Sequence, residues 1–398
     1  MPARGRSYII AGAGISGMTL ALALAKFGAT VVVLERHANV QEFGAGLQIS
    51  PNARRVLDQL GLDAEMTRTS FEPEALDTYP QGRRKPLVSM ELGGLMRERF
   101  GAPYAVMHRA DLANVLYKAC RRFANIDLIY GVRNWDVESH ARGASVAVDE
   151  ASGQSRTTRA DGFIGADGVH SHTRQAALSG PAAHFHNRIA WRVLVPTDSV
   201  SSQISLERVS VFFGAGFHLV CYPLPHRGQV NLALFTKAKS PHAGDSQPHL
   251  IRPGAKVAAI MAAASGRWTP WPMYSVDTPV WHKGNIGLIG DAAHAMLPFQ
   301  AQGAAMGIED AAVLAPLLIR SDNAETAYAR YAAMRQPRVR KVAALSATNG
   351  RIFHLPWPLS MGRDLVMAQQ GPRAHLARLG WIYEHDACDF GPKWKVER

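Results

Sequence analysis

The sequence predicts an α/β fold: a Rossmann-like dinucleotide-binding domain with an inserted antiparallel β-sheet and C-terminal helices. Three observations predict it. A strand, a glycine turn and a helix follow one another at Tyr8-Ile-Ile-Ala-Gly-Ala-Gly-Ile-Ser-Gly17. The block from about 180 to 280 reads as strands and turns with few helical stretches. The α/β pattern then resumes at Leu288, with Gly290-Asp291 at a strand end.

The first element has its physics in order. Tyr8, Ile9 and Ile10 suit a central parallel strand, and Met18 to Phe27 reads as the helix packed on it. Gly12 permits the tight turn, Gly14 leaves room for a pyrophosphate, and Gly17 allows close contact between helix and strand. The helix start at Ile15 and Ser16 offers free backbone amides to an anion. A second strand, Thr30 to Leu34, ends at Glu35, 18 residues past Gly17 (35 − 17), placed to accept the ribose hydroxyls, and Arg36 beside it is a further expected cofactor-binding residue. A basic start and an apolar run could also signal a secretory leader, but the glycines and Glu35 account for the same residues better.

Further along, Glu42 to Asn52 is a glycine-rich loop that includes Gly46, followed by a helix from about Ala53 to Leu60. Residues 68 to 104 read as irregular strands. A helix opens near His108-Arg109 and runs to about Phe123, Ile126 to Tyr130 is a strand, and Arg133 to Val148 alternates as a hairpin. Ala160 to Gly165 is a buried strand ending at Asp167-Gly168. Val209 to Phe213, Phe217 to Tyr222 and Val230 to Phe235 are the clearest strands of the inserted sheet, and a long helix starts at about Gly303-Ala304. The expected partition is 1–75, 105–180 and 281–350 for dinucleotide binding, 76–104 and 181–280 for the substrate sheet, and 351–398 for a helical tail.

Composition narrows the class. With 398 residues, 47% hydrophobic and 19% charged, the chain is near globular averages. It has no apolar run of the ~18 residues a membrane span needs. Three cysteines without a CxxC point to reduced thiols in a cytoplasm, and scattered histidines without HExxH give no metal site. The net charge of +12 is spread out and lacks a basic groove with interleaved aromatics. It therefore suits small anions better than nucleic acid. The sequence leaves a homodimer open.

Three fingerprints, in order and spacing, carry a resemblance: Gly12-x-Gly14-x-x-Gly17; Asp161 to Gly168 followed by His170-Ser171 and Arg174; and Gly290-Asp291 continuing through Ala301 to Ala311. The chain resembles the single-component FAD-dependent aromatic hydroxylases of para-hydroxybenzoate hydroxylase type, and looks most similar to salicylate and 3-hydroxybenzoate hydroxylases. The resemblance runs from residue 8 to about 385. It departs at Ala295, where such relatives carry proline after the histidine.

The resemblance implies non-covalent FAD, NADH or NADPH as reductant, and O2 as oxidant. It also implies ring hydroxylation through a flavin C4a-hydroperoxide, on a salicylate-like acid first. Another ring scaffold (hydroxynicotinate, urate, quinolone or polyketide phenol) stays open, as does an FAD-binding redox protein that has lost oxygenation. By the same resemblance Asp291 accepts ribityl hydroxyls, Asp167 lies near the pyrophosphate and the nicotinamide route, and Arg109 contacts FAD. Pro298 flanks the flavin ring, and the amides ahead of the Gly303 helix face the flavin N1/C2=O edge.

For the substrate, alternation puts His218, Val220 and Tyr222 on one strand face. His218 is the expected base for a phenol, and a histidine satisfied within the sheet is the plain alternative. Arg192 is the expected partner of a substrate carboxylate. Tyr222, Tyr104 and Phe299 are expected at the pocket, with a plain core role equally open for the two tyrosines, and Phe213, Trp191 and Phe235 are aromatic lining or, more simply, core.

Overall fold

The computed structural model describes residues 5–39, 46–150, 153–242 and 247–388. The Glu42–Ala45 part of the glycine-rich loop lies outside the described residues.

The first sheet has six strands, in the order His282–Lys283, Ile286–Leu288, Gly162–Gly165, Ser7–Ala11, Thr30–Glu35 and Ile126–Tyr130. All its pairs are parallel except the edge pair His282–Lys283 with Ile286–Leu288. Ser7–Ala11 lies in the middle and is covered on both faces, which is why its apolar run does not alternate. Gly12 turns the chain at φ 108°, and its amide donates to the Leu34 carbonyl at 2.7 Å. The helix Ile15–Lys26 then crosses the helix Gly303–Arg320 closely: the Ser16 hydroxyl fills the space that a Cβ on Gly290 or Gly307 would need.

The second sheet has seven strands, in the order Thr269–Ser275, His184–Pro196, Gln229–Lys237, Phe217–Leu224, Arg208–Gly214, Ala75–Tyr79 and Val88–Glu91. It is not wholly antiparallel, contrary to the expectation from sequence. Arg208–Gly214 and Ala75–Tyr79 pair in parallel, with Val209 opposite Leu76. Two strands more than a hundred residues apart meet through a long crossover, and such a connection permits the parallel direction.

One face of this sheet packs Trp191, Leu219, Leu232 and Leu234 against Val257 and Ile260 of the helix Ala255–Ala263. Trp191 therefore belongs to a core, its indole N–H donating to Thr236 Oγ1 at 2.8 Å. The opposite face carries the site.

Three local expectations need correction. The stretch 68–104 is not strands alone, because Asp63–Thr69 and Gly93–Phe100 are helical. The glycine pair Gly93-Gly94 masks the second helix, which forms because Met96 and Phe100 are buried and Gly101 ends it in the left-handed region at φ 71°. The Arg133–Val148 hairpin gains a third strand, Ser155–Ala160. The closing helices, Ala324–Ile352 and Leu359–Tyr383, extend past Leu379.

Beneath the site lies a buried charged network. Arg335 donates through Nε to Asp310 at 2.8 Å and through Nη1 to Glu309 at 2.5 Å, while Arg338 grips Glu309 with two bonds of 2.7 Å. Asn52 Nδ2 adds a 2.6 Å bond to Glu309. Asp310 also accepts the Gly290 amide at 2.9 Å and meets His294 Nε2 at 2.6 Å. The network fixes the Gly290-Asp291 turn to the two long helices.

Candidate active site

A single cavity of about 730 Å³ runs between the two sheets, from the Gly14–Ser16 turn to the inner face of the seven-stranded sheet. At its first end, the helix Ile15–Lys26 has no side chain capping its N-terminus. Gly14 is extended (φ −76°), and a Cβ there would meet no protein atom within 4 Å. The helix Gly303–Arg320 also starts at the cavity without a capping side chain, and Gly303 has the same empty space beside it. Two sets of helix N-terminal amides thus face one cavity, an arrangement that attracts anionic and carbonyl oxygens. Arg109 lies in the wall at the first residue of the helix Arg109–Cys120. A cation at a helix N-terminus is unfavourable by itself, and an anionic ligand offsets that cost. Asp291 contributes an exposed carboxylate.

Gly14, Ile15, Ser16, Gly46, Arg109, Asp291, Gly303 and Ala304 all line the cavity, as do His218, Pro298, Tyr222, Arg192, Tyr104, Phe213 and Phe299. The others stand behind it. Gly12 and Gly17 shape the turn: a Cβ on Gly12 would strike the Ala166 carbonyl and one on Gly17 the Gly12 carbonyl. Gly290 holds its turn through φ 57° and its bond to Asp310. Glu35 Oε2 accepts from the Ala13 amide at 2.9 Å and keeps a further lone pair, while Oε1 meets the His37 amide at 3.0 Å and His37 Nδ1 at 2.8 Å.

Arg36 is exposed and lies outside the cavity wall. Asp167 does not line it either. Its carboxylate accepts from Ser171 Oγ at 2.6 Å and from the Thr173 amide at 2.9 Å, so it anchors the turn that places Ala166, Gly168 and Val169 in the wall.

The substrate end is built by strand alternation. Arg192 and Ala190, Ala233 and Phe235, His218, Val220 and Tyr222, and Val211 and Phe213 project from the same sheet face into the cavity. Arg192 lies over Trp271 at 5.7 Å, and its Nε is buried with no hydrogen-bond partner among the described residues. Burial lowers the guanidinium's affinity for its proton, Tyr222 opposes that and Arg109 adds to it, yet arginine stays charged. Tyr222 packs against Gly46, where a Cβ would collide with the phenol, and the Gly46 amide donates to Asn231 Oδ1 at 2.7 Å. Burial pushes the Tyr222 and Tyr104 phenols up, and Tyr104 donates to Gln48.

His218 is 2% exposed, stacked on Phe235 at 4.3 Å and edged by Phe299 and Phe353. Its Nδ1 meets His354 Nε2 at 2.8 Å, and His354 Nδ1 meets Arg188 Nη1 at 2.6 Å. Burial, then His354 and Arg188, holds the His218 ring well below its usual value. Sequence reasoning did not find His354, Arg188 or Asn231. They come from two strands and from the turn after the helix Ala324–Ile352, and no spacing links residues 188, 231 and 354.

A family model described as an FAD binding domain matches residues 7–346. A 3-amino-4-hydroxybenzoate 2-monooxygenase of Streptomyces platensis is 34% identical over 406 residues, covering 96% of this chain and 97% of that one. A 3-hydroxybenzoate 6-hydroxylase of Aquipseudomonas alcaligenes is 29% identical over 392 residues, covering 96% and 98%. Among solved structures, a salicylate hydroxylase substrate complex superposes with a TM-score of 0.76 at 22% identity, over 99% of this chain and 98% of the other.

Proposed function

The chain belongs to the FAD binding domain family and is an FAD-dependent aromatic-ring monooxygenase, and on that premise we propose that it hydroxylates a salicylate-like hydroxybenzoate. The observation that carries the choice of an acid is Arg192. It is a cation in the inner wall whose Nε is buried without a hydrogen-bond partner among the described residues, on the sheet face that holds the aromatic lining. A carboxylate supplies the missing acceptor and neutralises the charge.

The residues present fit FAD. The open space beside Gly14 and the uncapped amides after it suit the pyrophosphate, Glu35 suits the ribose, and Asp291 suits the ribityl hydroxyls. The amides at Gly303 and Ala304, beside Pro298, suit the electron-rich edge of the flavin ring. When bound and reduced by NADH or NADPH, FAD would activate O2 for transfer of one oxygen atom to the ring.

The chain's own residues do the rest. Arg192 orients the acid, the Phe213, Phe235 and Phe299 rings exclude water from its ring, and His218 with Tyr222 contacts its ring oxygen. The seven-stranded sheet, with strands between Ala75 and Glu91 and between His184 and Ser275, serves as the substrate unit. Among the described residues no helix is long and apolar enough to cross a membrane. Buried, unpaired Cys120, Cys221 and Cys388 support placing the protein in the cytoplasm.

The test is a screen of hydroxybenzoates and hydroxypyridine carboxylates for stimulated NADH oxidation, with products identified by mass. Hydroxylated product from an acid and none from the matching neutral phenol is the expected result. Equal turnover of neutral phenols removes the acid reading.

A further inference from the structure

Three residues from separate parts of the chain form a hydrogen-bonded line behind the substrate pocket. Arg188 sits on the strand His184–Pro196, His218 on Phe217–Leu224, and His354 just past the helix Ala324–Ile352. The contacts are 2.6 Å from Arg188 Nη1 to His354 Nδ1 and 2.8 Å from His354 Nε2 to His218 Nδ1.

Each link constrains the next. A guanidinium has donors and no acceptor, so at Nδ1 His354 must accept. A neutral imidazole carries one N–H, so the His354 proton sits on Nε2 and is donated to His218 Nδ1. His218 Nδ1 is then the acceptor, and its own proton must be on Nε2. We infer that Arg188 and His354 are positioning residues that lock His218 in the Nε2–H tautomer, so that it meets the substrate as a hydrogen-bond donor and not as a base.

Two further observations bear on the line. Both rings are neutral: burial, Arg188, Lys237 and Arg363 bring His354 down to about 3, outweighing the Gly350 carbonyl, an acceptor that favours a ring N–H and so works against Arg188. His354 and Arg188 act with burial in the same direction on His218. The His218 ring also cannot turn over freely. It lies 4° from parallel with Phe235, with Phe299 and Phe353 against it at 5.4 and 5.5 Å, and a half turn would break the bond to His354.

Among the described residues no protein group accepts from Nε2, and the residue lines the cavity. A fixed donor in an apolar pocket favours an oxygen that carries negative charge. The substrate is thus held as an anion at His218, while Arg192 lies two strands away on the same face, roughly 10 Å across the sheet. The identity of that anion rests on the hydroxybenzoate reading. The tautomer does not.

The test uses holoenzyme labelled with ¹⁵N-histidine and no substrate, the His218 signals being those lost in His218→Gln. Between pH 6 and 8 the expected pattern is a protonated Nε2 and an unprotonated Nδ1. Arg188→Met should mix the two tautomers, and Arg188→Lys, which still only donates, should restore the single one. A protonated Nδ1 in the wild type overturns the inference.

Turnover supplies the second readout. Glutamine offers an N–H near the Nε2 position and cannot serve as a base, so His218→Gln should stay within about tenfold of wild type while His218→Ala falls further. A general base is worth roughly 10² to 10⁴, and a loss of that size in both variants overturns the donor role. Failure of the hydroxybenzoate reading looks different: no acid stimulates NADH oxidation, and the tautomer pattern stays as described.

Discussion

His294 and Asp310 meet at 2.6 Å behind the cavity wall, and the same Asp310 oxygen accepts the amide of Gly290. The turn that presents Asp291 is therefore held by a fully buried carboxylate, itself held by Arg335. Arg335 is at once the main cause that keeps Glu309 ionised against burial and, with His294, what keeps Asp310 so.

Removing Arg335 leaves two buried carboxylates short of a partner. Arg335→Met should cost about 3–5 kcal/mol of stability, and FAD should be lost before the protein unfolds because the Gly290 turn loosens first. Urea unfolding with flavin fluorescence checks both. Equal stability of variant and parent would show that Arg338 and His294 hold the network alone.

Gly14 and Gly17 should behave differently although both belong to one motif. A side chain at Gly14 meets no protein, so Gly14→Val should fold normally and purify colourless. A side chain at Gly17 runs into the Gly12 carbonyl, so Gly17→Val should fail to fold. Circular dichroism and the flavin spectrum separate the outcomes. In the parent protein heat or acid should release FAD intact.

Arg192→Met should raise KM for the acid substrate by one to two powers of ten, about 1.4 to 2.8 kcal/mol, with FAD content as in the parent. Steady-state kinetics with flavin absorbance decides it. An unaltered KM would place the substrate carboxylate elsewhere.

The buried histidines set a pH window. The folded proton affinities of His218 and His354 lie below the usual 6.5. From 6.5 down toward about 3, the unfolded chain therefore binds more protons and stability falls as pH falls. The slope is at most about 1.4 kcal/mol per pH unit for each histidine. His186, His282 and His385 shift the same way. Glu309 and Asp310, held below their usual 4.5 and 3.8, lose their contribution only at lower pH. Urea titrations at pH 7 and 5 should show the loss, and His354→Gln should flatten it. A His354→Gln slope identical to the parent's would mean that this histidine does not carry the effect.

The sequence by itself determined the nucleotide half of the protein. A strand, glycines at 12, 14 and 17, and an acid at 35 are consecutive chain, and their geometry follows from local backbone rules, so Gly14, Ile15 and Ser16 could be placed without a fold. Alternation likewise fixed the common face of His218, Val220 and Tyr222, because strand period is a local property. Only the tertiary structure decided what stands behind those residues. Whether Asp167 faces the cavity or ties down a turn, and that Arg192 Nε has no acceptor among the described residues, depend on the tertiary arrangement. So does the state of His218. Its proton position is set by Arg188 through His354, residues 30 and 136 positions away (218 − 188 and 354 − 218), and hydrogen bonds of that span leave no period or spacing in the chain.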